Sequence, residues 1–214
     1  MVPKLLYAPD YGIPQMRKRV FFVGLRDSHE DFKFPEPTVG KNDYVTCEEA
    51  IGDLPSLQTD EGDIIYGEEI QDYLYPIQND YQKRMRANSE KVRNHIGSIP
   101  IEKTKFMISL VPEGKNYKAL PEEYQGIYKY HEALTRYHSK KPSNTINTGH
   151  RSHFHYKWNR IPTVRESARL QSFPDDFIFY GNKSEQYRQV GNAVPPILGQ
   201  VVADALLPYL KDGE

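Results

Sequence analysis

The strongest constraint in this 214-residue sequence is the run Val20-Phe21-Phe22-Val23-Gly24-Leu25, which is continuously apolar and β-prone. A strand without polar alternation reads as buried on both faces of a sheet, so it needs neighbours on each side. Immediately before it stands the polar cluster Gln15-Met16-Arg17-Lys18-Arg19, which places hydrogen-bond donors at the entrance of a core strand. At the other end, Pro195-Pro196 suits a helix start. Ile197, Leu198, Val201, Val202, Ala205, Leu206 and Tyr209 then give one broad apolar face, the pattern of a core-facing helix.

With 38% hydrophobic and 27% charged residues, the chain supports one sizeable core, or one core with a small satellite domain. No run approaches the roughly 20 apolar residues of a membrane span, and the first residues carry no cleavable signal pattern. The expectation is an intracellular, cytoplasmic protein with no membrane partner. A single cysteine, Cys47, excludes an internal disulfide framework and a multi-cysteine zinc site.

The formal net charge of -1 hides a segregation. Residues 43–72 hold ten acids and no Lys or Arg, whereas residues 129–169 hold nine Lys or Arg, two acids and five histidines. One part of the molecule therefore repels a polyanion and another attracts it.

Local signals divide the chain further. Thr46-Cys47-Glu48-Glu49 has the spacing of a capping box, which makes Cys47 the first residue of a short helix, and Thr163-Val164-Arg165-Glu166 is a second box. The second helix continues through Ala168-Arg169-Leu170 until Phe173-Pro174 stops it. Residues 81–94 are polar and helix-compatible. Residues 101–161 are rich in Tyr, Lys, His and Asn with little helical periodicity, and read as a small, irregular, mostly β module. There is no internal repeat.

Three stretches, in order, resemble the last three blocks of the bacterial DNA (cytosine-5) methyltransferases. Asp10-Tyr11-Gly12-Ile13-Pro14-Gln15-Met16-Arg17-Lys18-Arg19 is similar to the family's Gln-x-Arg-x-Arg block. Residues 163–177, with Arg165-Glu166-Ser167-Ala168-Arg169-Leu170-Gln171-Ser172-Phe173-Pro174, are similar to its Arg-Glu-x-Ala-Arg-Leu-Gln-x-Phe-Pro block. Gly191-Asn192-Ala193-Val194 resembles its Gly-Asn-x-Val block. Each string is short, but their order around a variable region is specific. Ala50-Ile51-Gly52-Asp53-Leu54-Pro55 also looks like a connecting segment of the family, and Pro142-Ser143-Asn144-Thr145-Ile146 resembles the Thr-Leu element of its recognition domains, with Ile in place of Leu.

The resemblance implies a partial α/β, Rossmann-like fold of the S-adenosylmethionine-dependent methyltransferases with a small, irregular, β-rich target-recognition domain. It divides the chain into the last strand region of the catalytic domain at 1–40, a connecting acidic and helical segment at 41–100, the target-recognition domain at 101–162, and a return to the catalytic domain at 163–214. It implies that Arg19 hydrogen-bonds the ring carbonyl of a flipped cytosine, that Arg17 contacts backbone phosphate and that Gln15 orders the loop; a base must leave its stack to be methylated, and these donors hold it. Asn192, Ala193 and Val194 would form the outer wall of an S-adenosylmethionine pocket. Arg136, Lys140, Lys141, Thr145 and Arg151, with His138, His153 and His155 nearby, suit groove and phosphate contacts on double-stranded DNA. The histidines are not read as a metal site. Arg165, Glu166 and Arg169 lie at spacings that allow local ion pairs and are read as scaffold.

The family's Pro-Cys nucleophile, its Glu-Asn-Val glutamate and its glycine-rich cofactor loop have no counterpart here; Cys47 follows Thr46 at a helix start and is read as structural. The expectation is the C-terminal part or subunit of a DNA (cytosine-5) methyltransferase of a restriction-modification system, inactive without an amino-terminal half. The alternatives are a non-catalytic, sequence-specific DNA-binding remnant and part of an RNA cytosine methyltransferase.

Overall fold

The computed structural model describes residues 3–26, 31–58, 63–128, 132–149 and 152–210. Strand β1, Pro3–Tyr7, pairs antiparallel with β2, Lys18–Phe22, so that Leu6 faces Arg19 and Leu5 faces Val20 across the ladder. The predicted strand is thus present, but it is not buried on both faces. Alternate residues of a pleat point to opposite sides. Arg19 and Phe21 turn to the half-buried side, whereas Leu5, Val20 and Phe22 are 54%, 53% and 67% exposed. The described part of the chain supplies cover for only one face of this hairpin.

Helix α1, Cys47–Ile51, carries the expected capping box: the Thr46 hydroxyl accepts from the Glu49 N–H, and the Thr46 N–H donates to the Glu49 carboxylate. Strands β3, Ile70–Asp72, and β4, Lys91–Arg93, pair antiparallel on either side of α2, Asp80–Arg86, whose first turn is capped by Asn79.

The segment from 101 to 162 is not β-rich. It opens with helix α3, Glu102–Ser109, continues through 3-10 turns, and among its described residues the named strands are the two-residue β5, Thr135–Arg136, and β6, His153–Phe154, paired in parallel. Its scattered aromatic residues serve a cluster of side chains more than a ladder. Met107, Ile108, Val111, Leu120, Leu134 and Phe154 form a hydrophobic cluster separate from the larger one.

Helix α4, Val164–Leu170, is buried along its whole length and has the second capping box, from Thr163 to Glu166. Helix α5, Lys183–Asn192, starts from a third box, Asn182 with Glu185, so Gly191 and Asn192 end a helix where a loop was expected. Helix α6, Pro196–Leu206, fully buries only Ile197 and Leu198; Val201 and Val202 pack partly against the main core, and Ala205, Leu206 and Tyr209, the rest of the expected core face, are half-buried, Tyr209 against Phe32. The stretch from 183 to 210 is long and apolar enough in part to match a membrane span by length and composition. Ala193 to Pro195 break it, however, and the 11 residues of α6 reach about 16 Å, half the thickness of a bilayer core.

Candidate functional site

The three blocks that are far apart in sequence meet at one buried junction. The segment around Ser143 runs beside residues 14–16: Ser143 N–H donates to the Pro14 carbonyl at 2.9 Å, Met16 N–H donates to the Ser143 carbonyl at 2.7 Å, and the Thr145 hydroxyl donates to the Met16 carbonyl at 2.6 Å. Residues 143–148 therefore form a strap laid along the entrance to β2. Gln15, fully buried, donates to the Gln171 side chain at 2.8 Å, while its own carbonyl oxygen accepts from Arg17 at 3.3 Å.

Arg17 is the centre of this junction. Only 1% exposed, it donates to the Ile146 carbonyl at 2.9 Å, the Gly191 carbonyl at 2.8 Å and the Ala193 carbonyl at 3.1 Å. Gln171 joins it on the same turn, donating to the Val190 and Ala193 carbonyls at 2.6 and 2.8 Å. The last carbonyls of a helix have no partner within the helix and carry its negative end. A buried cation and an amide supply what the C-terminus of α5 lacks. Where a phosphate contact was expected at Arg17, its guanidinium is enclosed here and occupied by backbone oxygens.

Arg19 differs. It is half-exposed, its guanidinium donates to the neighbouring Lys18 carbonyl at 2.8 Å, and partial burial lowers its pKa. Two residues along an extended strand, about 6.8 Å from Arg17, it shares the face that Arg17 anchors and lies where that face opens to solvent. Asn192 and Val194 are exposed on the turn between α5 and α6, and Ala193, between them, is fixed through its carbonyl. Gly191 does bring a backbone close, but to this chain's own strap: a Cβ there would lie 2.5 Å from the Asn147 carbonyl oxygen.

The expected DNA-contact residues separate into two kinds. Lys140 and Lys141 are exposed, Lys140 pairing with Glu48. Arg136 is buried, and its guanidinium donates to the carbonyls of Val111 and Ile108 at 2.8 and 2.7 Å, so it ties α3 to β5 and is not free to reach a groove. His153 and His155 are likewise buried. His155 accepts the Lys157 N–H at 3.0 Å through Nδ1, and burial, partly opposed by Glu166, pulls its pKa down to about 3. Arg151 lies outside the described residues. Among the described residues no group of three metal-ligating side chains occurs.

The second block is scaffold, with pairings across the fold where neighbours along the helix were expected. Glu166 receives two hydrogen bonds from Arg160, at 2.7 and 2.6 Å; burial raises its pKa, but the Arg160 charge outweighs this and holds the carboxyl well below the usual range. Arg169 joins Asp175 through two bonds of 2.6 Å and Asp53 at 3.0 Å. Arg165 donates to the carbonyls of Arg93, Pro174 and Phe177. Cys47 is buried, and desolvation pushes its thiol up, away from thiolate chemistry.

Two features were not anticipated. Gln171 lay within a block read as scaffold, although a glutamine after Arg-Leu at a helix end was a visible donor. A cleft of about 460 Å3 lies beside the strap, lined by Lys115, Asn116, Lys118, Glu132, Thr135 and Asn144; only the basic character of the wider region pointed to it.

Comparison with known proteins places the chain in a family. Residues 1–207 match the family described as C-5 cytosine-specific DNA methylase. The type II methyltransferase M1.HphI of Haemophilus parahaemolyticus is 39% identical over 95% of this chain and 47% of its own length. M.DdeI of Desulfomicrobium norvegicum is 34% identical over 97% of this chain and 54% of its own. The chain thus spans about half the length of the curated relatives it matches. A crystal structure of a candidate DNA modification methyltransferase encoded within an E. coli prophage superposes with a TM-score of 0.71 at 23% identity, covering 99% of this chain and 61% of that one, which shows a shared fold. With the family match spanning nearly all of its residues, the chain belongs to the C-5 cytosine-specific DNA methylases.

Proposed function

We propose that this chain is the C-terminal part or subunit of a DNA (cytosine-5) methyltransferase of a restriction-modification system, acting in the cytoplasm on a specific site in double-stranded DNA. The observation that carries the reading is the junction itself: one buried arginine joins the strap, the turn before α6 and the strand that presents Arg19. Arg19 offers a half-exposed guanidinium suited to the ring carbonyl of a flipped cytosine. Lys140 and Lys141 offer exposed ammonium groups for phosphate, and Thr145 lies on the strap beside them, its hydroxyl donating to the Met16 carbonyl. We read 101–162 as the target-recognition domain, with its own hydrophobic cluster in support, and 1–40, 41–100 and 163–214 as the parts that join it to the catalytic domain.

The residues at the turn fit one wall of an S-adenosylmethionine site. The exposed Asn192 amide and Val194 side chain can meet its polar and apolar parts, and the fixed Ala193 carbonyl keeps the turn in place. When bound, that cofactor supplies an electrophilic methyl group for carbon 5 of cytosine. Cys47 is too buried to add to a base, so the nucleophile and the remaining pocket walls come from residues outside this sequence. The open face of β1–β2 and the exposed Leu207 and Leu210 after α6 support an amino-terminal half as partner, and speak against a free-standing DNA-binding module.

The test is to mix this chain with an amino-terminal half carrying the Pro-Cys and Glu-Asn-Val motifs and measure radiolabelled methyl transfer to duplex DNA. Activity is expected in the mixture and not with this chain alone. Transfer no greater than that of the amino-terminal half by itself would overturn the proposal.

A further inference from the structure

Resting on that reading, we infer that Arg17 is a positioning residue, whose buried guanidinium holds the strap at 143–148, the turn at 190–193 and Arg19 in one register. The family resemblance places a phosphate contact at Arg17, and the geometry here assigns the residue a different task. Its donors reach the carbonyl oxygens of Ile146, Gly191 and Ala193, and Gln15 Oε1, all within the protein. A phosphate would have to displace these acceptors and enter a site that is 1% exposed.

The choice of residue follows from the acceptors. Three carbonyls from two separate segments converge on one side chain, and a planar guanidinium donates in fixed directions from two terminal nitrogens. An ammonium carries the same charge but cannot span the same set. Gln15 and Gln171 complete the arrangement: Gln15 accepts the Ile146 N–H at 3.4 Å, and Gln171 bridges Gln15 to the turn. Gly191 then lets α5 approach the strap more closely than any side chain would allow. Because Arg19 follows Arg17 by two residues on the same face, fixing Arg17 fixes where Arg19 emerges. The element that would read DNA and the turn that would face the cofactor are therefore assembled as one unit, and Arg17 sets their spacing.

Two measurements separate positioning from phosphate contact. Hydrogen exchange on this chain, comparing Arg17→Lys with the parent, should show at least tenfold faster exchange at both 143–148 and 190–193, with α3 and α4 unchanged. If Arg17→Lys does not fold, exchange of the parent in rising urea decides: 143–148 and 190–193 should open together at one urea concentration, and separate openings would overturn the inference. In the complemented mixture, log Kd for duplex DNA against log salt should keep its slope in Arg17→Lys, whereas Lys141→Ala should lower the slope by about 0.9, the value for one lost phosphate contact. Arg17→Lys should reduce kcat at least tenfold with KM for DNA changed less than threefold. A slope lowered by about 0.9 in Arg17→Lys with unchanged exchange at both segments would overturn the inference. If the mixture binds no DNA, the functional reading fails, and the exchange measurement still decides whether Arg17 holds the two segments together.

Discussion

Helix α4 and the β1–β2 hairpin both lie within the residues that match the family, yet their surroundings differ. Every residue of α4 is buried and its three charges are met by partners from four other parts of the fold. The hairpin has one side packed and one apolar side open. The difference marks two kinds of surroundings: α4 is enclosed by the described residues, whereas the hairpin keeps one apolar face open, the face on which the amino-terminal half proposed above would sit.

The largest expected effect on stability lies at α4. Arg169→Ala leaves Asp53 and Asp175 in a fully buried site without their shared cation, and breaking a buried pair of this kind costs about 3–5 kcal/mol. At Arg169 burial lowers the pKa, but hydrogen bonding and charge from Asp175, then Asp53, outweigh it, so the guanidinium is charged and its loss is felt in full. A urea denaturation curve measures this. A loss below about 1 kcal/mol would mean that α4 is not the completed half of the comparison.

The same region should respond to acid. His95 lies between the Pro55 carbonyl, which can only accept and so fixes the proton on Nε2, and the Thr163 hydroxyl, which donates to Nδ1. Burial lowers the pKa of His95, His153 and His155, the last to about 3. The unfolded chain takes up protons near pH 6.5, whereas the folded chain resists them, so the stability these residues contribute is present above pH 6.5 and is lost as pH falls toward the folded values. For His155 this costs up to about 1.4 kcal/mol per pH unit in that window, about 1 kcal/mol over the first unit below 6.5, and His95 and His153 act in the same direction. Denaturation midpoints at pH 7.0 and 5.5 check it; equal midpoints would show that the histidines are not held neutral. Gly191→Ala probes the junction between α5 and the strap. An alanine favours a helix, but its Cβ would lie within 2.7 Å of three backbone atoms of Asn147 and Thr148, and relieving that overlap should cost about 1–3 kcal/mol, read as a fall in melting temperature.

What could be read in the sequence was what neighbouring residues decide. Thr46 with Glu49 and Thr163 with Glu166 specify their helix starts within four positions, and both boxes form. Asn182 with Glu185 carries the same signal and was overlooked. The three blocks were visible as strings, but their convergence was not: Arg17 and Gly191 are separated by 174 positions, and no local pattern states that they touch. Chemical type misled at Arg136, His153 and His155. An arginine surrounded by carbonyls and an imidazole that burial keeps neutral can both sit in an interior, although in sequence each reads as a surface contact. The β-rich expectation for 101–162 failed because tyrosines there pack side chains without forming ladders; Tyr117, Tyr124 and Tyr128 all line the smaller cluster.

The smallest effect on stability should come from the open side of the hairpin, where it tests the other half of the comparison. Phe22 is opposite Pro3 in the ladder and 67% exposed. Phe22→Thr keeps a β-prone residue and removes little that is buried, so the melting transition of this chain should move by no more than the equivalent of about 0.5 kcal/mol. Association with an amino-terminal half is a different matter. If that half covers the face, the ring gains the burial it now lacks, about 1.5–3 kcal/mol for an aromatic side chain taken from water. The affinity of the two halves should therefore fall roughly 10- to 100-fold while the stability of this one is nearly unchanged. A variant that unfolds this chain would show that the hairpin is already part of its core. A variant that leaves both stability and association untouched would show that its exposed face is not where the partner sits, and the contrast with α4 would then reflect only which surface happens to face solvent.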